Sequence, residues 1–196
     1  MQEFKILKLE ELISQTKGCE ESEIKLTNFL KTFKCVLNND VENFLHNISI
    51  RNEKEHKSRT YLLVNDLWDI IAYFSIAIKP IILDENKHKI TNTTRKRMKA
   101  QMVKKSENNH EVITTFLIGQ IARNDLFCKN DISLKEILDQ VFYKINEVMR
   151  MIGGHIILVE VDNNEKLIDL YKKFGFQLLN DGSEDELTQL MKFNGR

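Results

Sequence analysis

The sequence predicts a mixed α/β fold: one mainly antiparallel sheet with a central parallel strand pair, flanked by helices. Three observations carry this. Ile113–Ile121 is a strongly apolar run, and Ile137, Leu138, Val141, Ile145, Val148, Met149 and Ile152 then trace a long helical stripe. His155–Val161 is a second apolar run. Strand, long helix and strand over about 50 residues form a crossover unit, which makes the two strands parallel neighbours with a right-handed connection. Upstream, Thr60–Val64 and Asp69–Lys79 are rich in β-branched and aromatic residues and meet at Asn65-Asp66, a hairpin. Downstream, residues 176–179 and 187–193 close an antiparallel pair around Asp181-Gly182-Ser183.

The remaining elements follow in order. Residues 3–9 alternate polar and apolar side chains as a short first strand without a signal-peptide core, and a polar stretch surrounds Thr16, Lys17, Gly18 and Cys19. Leu26, Phe29, Leu30, Phe33 and Leu37 fall on one face of a helix. Asp40 is placed to cap a second helix carrying Val41, Phe44, Leu45 and Ile48, and residues 51–58 read as a solvated connection. Between Lys87 and Lys105 there are eight Lys or Arg residues and no Asp or Glu. This stretch is either a solvated, partly helical insertion or a basic surface for a polyanion such as RNA. Ser133-x-x-Glu136 is a capping box for the long helix, and Gly153-Gly154 ends it. Asn164–Phe174 forms a last helix, stopped by Gly175. No internal repeat or low-complexity segment interrupts the chain, so residues 1–196 are expected to form one domain.

Composition removes several function classes. With 29 basic and 29 acidic side chains among 196 residues, the chain is neutral overall, which argues against a protein that coats nucleic acid. At 42% hydrophobic residues it has enough apolar surface to fold, and no apolar run reaches the ~20 residues of a membrane span. Cys19, Cys35 and Cys128 are odd in number and widely spaced, which fits free thiols in a reduced, cytoplasmic compartment. The five histidines are scattered, and C-x-x-C, H-x-x-x-H, G-x-S-x-G, the P-loop pattern and G-x-G-x-x-G are all missing. No metal site is expected.

In an open α/β sheet, ligands gather beyond the carboxyl ends of parallel strands, near the start of the crossover helix. That places the site along Arg123–Lys135 and at Glu160–Asp162. A helix N-terminus offers unpaired N–H groups and about half a positive charge, with Lys129 and Lys135 nearby, so an anionic ligand such as a phosphate ester is expected.

The run from Asn164 through Tyr171 to Gly175-Phe176 resembles the N-x(6)-Y-x(3)-G-F signature of the GNAT N-acetyltransferase superfamily. Gly18-Cys19, Leu26–Leu30 and Thr60–Val64 are more weakly similar to the toxin-like branch. The resemblance covers nearly the whole chain. It implies an acetyl-CoA-dependent enzyme in which Ile121, Ala122 and Arg123 pair with the pantetheine arm. The loop Lys129, Asn130, Asp131, Ile132, Ser133, Leu134 and Lys135 would wrap the pyrophosphate, and Asn164 would touch the arm. Tyr171 would act as the acid near the sulfur. Glu160, at the end of the second parallel strand, is the candidate base, since an amine with a pKa near 10.4 must lose a proton to attack. The loop departs from the superfamily pattern by holding no glycine. Either its lysines and the helix dipole compensate, or the site is degenerate. Three readings follow: acetylation of a small-molecule or protein amine; toxin-type acetylation of aminoacyl-tRNA held through Lys87–Lys105; and a non-catalytic binding module. The resemblance also allows a homodimer through the C-terminal sheet edge.

Overall fold

Hydrogen-bonded strand pairing follows the path β1-β2-β3-β5-β6-β8-β7, with β4 paired to β5 off that path. These strands are Lys5–Lys8, Arg59–Val64, Ile70–Leu83, Met102–Lys105, Glu111–Arg123, Ile156–Val161, Gln177–Asn180 and Thr188–Phe193, numbered β1 to β8 in chain order. The computed structural model describes residues 4–36, 38–83, 90–105, 111–182 and 186–194. Strands β5 and β6 run parallel, while the β1–β2, β2–β3, β4–β5, β6–β8 and β7–β8 ladders are antiparallel. The expected mixed sheet with its central parallel pair is therefore present.

The chain divides into two compact units, residues 1–77 with 119–144 and residues 78–118 with 145–196. In the first, β1 and β2 pair in antiparallel register from Lys5↔Val64 to Lys8↔Tyr61. Helices α1 (Leu9–Thr16), α2 (Glu20–Leu30), α3 (Asn39–Asn43), a π-helical turn (Phe44–Ile48) and α4 (Ser49–Lys54) also belong to it. Its core gathers Leu9, Leu26, Leu30, Phe33, Leu45, Leu62, Ile70 and Tyr73, with Phe33 edge-on to Tyr73 at 5.0 Å. The Tyr73 hydroxyl donates to Val41 O at 2.6 Å, tying β3 to the helical layer.

Several expectations in this unit are corrected. The helix expected through Phe33 ends at Leu30, because the backbone beyond it is claimed by groups far along the chain. Lys34 N–H donates to Asn124 Oδ1 at 3.2 Å, and Val36 N–H donates to Asp125 Oδ2 at 2.7 Å. Leu37 lies outside the described residues. Helix α1 is not foreseen by the pattern, since Lys8-Leu9-Glu10 also satisfies strand alternation; burial of Leu9, with Leu12 and Ile13 packed on the same core, decides for a helix. Asn38 caps α3 instead of Asp40, its Oδ1 accepting Val41 N–H at 3.3 Å. Residues 51–54, expected to be a connection, continue the helical run, and Glu53 is buried.

In the second unit Ile81, Met98, Ile113, Ile156, Leu158, Leu179 and Met191 form the core. Helix α5 (Asn92–Lys99) is capped by Thr91, whose Oγ1 accepts Thr94 N–H at 3.1 Å, and buries Thr94 and Met98. The partly helical insertion is thus present over that span. Strand β4 within the same basic stretch is not anticipated by the sequence, and Lys87 to Lys89 lie outside the described residues. Helix α6 (Leu134–Ile152) and helix α7 (Glu165–Lys173) match the expected crossover and last helices. Ser183 of the closing turn lies outside the described residues. Among the described residues no helix is long and apolar enough to cross a membrane.

Gly154 has φ +96°, and a Cβ there would sit 2.8 Å from the Phe116 ring. Gly154→Ala should therefore lower stability by about 2 kcal/mol or more. Urea denaturation would show this as a lower midpoint at unchanged slope.

Candidate functional site

The parallel ladder between β5 and β6 joins Phe116↔Ile157 and Leu117↔Leu158 and ends at Ile118↔Val159. Strand β5 runs on to Arg123. Its last residues, Ile121, Ala122 and Arg123, are half-buried, and Ala122 packs against the core of the first unit. The Arg123 Nε is buried with no hydrogen-bond partner in the structure.

Asn124 fixes the end of this strand, a role beyond the strand terminus its sequence position suggests. It is buried and uses every polar group. Its N–H donates to Ile71 O at 2.9 Å and its Nδ2 to Ile70 O at 2.7 Å. Its Oδ1 accepts Lys34 N–H and Leu126 N–H. The available signal is an Asn-Asp pair directly after an apolar strand, a place where short polar side chains commonly bond to nearby backbone.

The seven candidate loop residues lie consecutively in the first unit. Lys129 and Asn130 are exposed, while Ile132 is buried. Asp131 Oδ2 accepts Cys128 N–H at 2.6 Å, and the Cys128 side chain, then this N–H, hold its carboxyl below the usual range with Arg123 contributing. The expected capping box is formed: Ser133 N–H and Oγ–H donate to Glu136 Oε2 at 2.8 and 2.7 Å, and Glu136 N–H donates to Ser133 Oγ at 3.3 Å. Those bonds hold the Glu136 carboxyl low as well. Leu134 opens α6, and Lys135 donates to Asp139 at 2.8 Å, one turn further along the helix.

The second unit holds Glu160, Asn164 and Tyr171. Lys79 Nζ donates to both oxygens of Glu160, at 2.7 and 2.6 Å, and Gln189 Nε2 donates to Oε1 at 2.7 Å. Sequence reasoning does not single out Lys79 or Gln189. A lysine inside the apolar run Ile76–Ile81 is the signal, since an ammonium on a sheet face calls for an acidic partner. Asn164 is the N-cap of α7, its Oδ1 accepting Lys166 N–H and Leu167 N–H at 3.0 and 3.3 Å. Tyr171 is buried, edge-on to Phe176 at 5.4 Å, and burial pushes its phenol up to about 12.

A cavity of about 700 Å³ opens in the first unit between α1, α2 and α4, with Ile13, Leu26 and Ile50 on its walls beside Glu10, Lys54 and His56. None of the candidate residues lines it. Among the described residues no group of three or more His, Cys, Asp or Glu could hold a metal ion.

The Tyr171 phenol makes folding pH-dependent in a defined direction. Below pH 10 it is protonated in both states; from about 10 to 12 the unfolded chain releases the proton while the folded chain keeps it. Stability is then lost as pH rises through that window. Between pH 9 and 11 the native chain should lose about 1 kcal/mol more than Tyr171→Phe, measured as denaturation midpoints. Equal losses would mean a solvated phenol.

No family model and no curated protein matches the chain. Solved structures do. A tyrosine-to-phenylalanine mutant of KacT is 16% identical, with 98% of this chain and 95% of that chain covered and a TM-score of 0.66. AtaT complexed with acetyl-methionyl-tRNAfMet is 18% identical, covering 81% and 85%, at a TM-score of 0.58. AtaTR bound with AcCoA is 17% identical, covering 97% and 93%, also at 0.58. The chain shares the GNAT-like fold of these structures.

Proposed function

We propose that the chain is an N-acetyltransferase that passes an acetyl group from acetyl-CoA to a primary amine by direct attack. The observation that carries this reading is the short parallel ladder, which ends at Ile118↔Val159 while β5 continues to Arg123. Past that point β5 is no longer laddered to β6, although β3 borders it on the other side. An extended amide-bearing arm requires such a one-sided edge, and Ile121, Ala122 and Arg123 are the residues assigned to it. The half-buried Arg123 with its unpartnered Nε suits an acceptor group of a ligand. The similar structures include AtaTR bound with AcCoA, which supports acetyl-CoA as the donor.

In the reaction the amine nitrogen bonds to the thioester carbonyl carbon, the C–S bond breaks, and the sulfur leaves as a thiolate. A strand N–H is a preorganised donor for the oxyanion formed on the way. Tyr171 is the proposed acid on its place in the N-x(6)-Y-x(3)-G-F run, and its phenol would deliver a proton to the sulfur against the rise that burial imposes. Glu160 is the proposed base. Its oxygens already accept from Lys79 and Gln189, so it would take the amine proton through a water. Asn164 contributes by capping α7, the helix that carries Tyr171.

The test is a thermal-shift titration with acetyl-CoA, with ATP as an anion control. At a hundred times Kd the donor adds about 2.7 kcal/mol, a rise of roughly 5–10 °C. With an accepted amine, Tyr171→Phe should lower kcat about ten-fold or more at little change in donor affinity. Neither a shift nor turnover would favour the non-catalytic reading, which the glycine-free loop supports.

A second reading, acetylation of the α-amine of aminoacyl-tRNA, is favoured by α5. This helix exposes Lys96, Arg97 and Lys99 and carries no acidic residue. AtaT complexed with acetyl-methionyl-tRNAfMet is among the similar structures. Activity on charged tRNA should then fall steeply with salt. Replacing Arg95, Lys96 and Arg97 by alanine should flatten the log–log salt slope by about 0.7–0.9 for each phosphate that is no longer neutralised. Activity indifferent to salt would leave the basic stretch as a solvated surface.

A further inference from the structure

Of the nine backbone N–H groups from Cys128 to Glu136, five are directed onto the chain's own acceptors. Cys128 N–H donates to Asp131 Oδ2 at 2.6 Å, and Asp131 N–H and Ile132 N–H donate to Cys128 O at 3.1 and 3.5 Å. Ser133 N–H donates to Glu136 Oε2 at 2.8 Å, and Glu136 N–H donates to Ser133 Oγ at 3.3 Å. Two of these acceptors are carboxylates at the start of a 19-residue helix. Lys135, the cation of that first turn, is ion-paired to Asp139 at 2.8 Å.

An anion binds at a helix start by meeting free N–H groups and the partial positive charge there. In this chain a phosphate oxygen taking the N–H of Cys128 or Ser133 must first displace a carboxylate, which then stands beside it as a like charge. No residue from Asn124 to Ile152 is glycine, so every position keeps a Cβ between backbone and ligand. A capping box alone is an ordinary helix start. It does not explain Asp131 on Cys128 in the same short run, nor the pairing of Lys135 with Asp139.

Resting on the acetyltransferase reading, we propose that Asp131 and Glu136 set donor specificity. As built-in anions they take the Cys128 and Ser133 N–H groups and oppose a second anion at the remaining donors of this helix start, so the acyl-pantetheine arm carries binding and the nucleotide adds little. The donor class is then acyl-pantetheine thioesters, with or without adenosine diphosphate.

Isothermal titration of the full chain with acetyl-CoA and with S-acetylpantetheine tests this. The two Kd values should agree within about three-fold. In the combined Asp131→Asn, Glu136→Ala variant acetyl-CoA should tighten about ten-fold, less so at high salt, while S-acetylpantetheine is unchanged. Glu136→Gln keeps the capping acceptor without its charge and should give a smaller gain in the same direction. If circular dichroism shows the alanine variant unfolded, the Asp131→Asn, Glu136→Gln pair carries the test. Native acetyl-CoA binding about 100-fold tighter than S-acetylpantetheine, or unchanged acetyl-CoA affinity in the variants, would overturn the proposal. Binding of neither thioester by any of these chains would remove the acetyltransferase reading itself, and the proposal with it.

Discussion

The architecture turns on β5, which lies between β3 and β6 in the sheet and takes a further partner, β4, at its start. β4 pairs with its first residues, from Lys105↔Glu111 to Met102↔Ile113. The parallel ladder to β6 takes over at Phe116 and lasts to Ile118. At the far end Asn124 closes the strand with four hydrogen bonds to backbone groups of Lys34, Ile70, Ile71 and Leu126. A buried side chain with all its polar groups satisfied rigidifies what it touches, because leaving any one unmade costs about 1–3 kcal/mol. The strand end that leads into the candidate donor loop is thereby held, and so is the segment that follows α2.

Within each unit, charge decides how the candidate carboxylates are held. The chain is neutral as a whole, but its acidic side chains are placed where they answer local donors: Glu136 on Ser133, Asp131 on Cys128, Glu160 on Lys79 and Gln189, Glu53 on Arg59. Each is a short, charge-assisted bond, stronger than a neutral one. The same pairing that satisfies the backbone also decides which donors a ligand can reach. A loop with glycines would present bare N–H groups, whereas here those of Cys128 and Ser133 are already engaged by carboxylates.

Local chemistry is legible wherever neighbours in sequence decide it. The capping box at Ser133 and Glu136, the glycine pair after α6, Asn164 before α7 and the Asn65 turn of the hairpin all rest on interactions within a few residues. The α6 stripe is legible for the same reason, with Ile137, Leu138, Val141 and Ile145 all buried. Short elements are not. Leu9 fits both a strand and a helix pattern over so few residues that only burial separates them. The break after Leu30 is imposed by Asn124 and Asp125, which bond the backbone of Lys34 and Val36 from 90 and 89 positions away.

What the sequence determined by itself was the order of the long elements and the crossover that makes one strand pair parallel. These follow from periodicity and from turn and cap chemistry, which act over a few residues at a time. Tertiary structure alone decided which groups are already engaged. Glu160 is bound by Lys79 from β3 and Gln189 from β8, and Tyr171 is buried enough to hold its proton to about 12. Hydrogen bonding and desolvation depend on distance in space, and that distance is set only when strands far apart in sequence lie side by side.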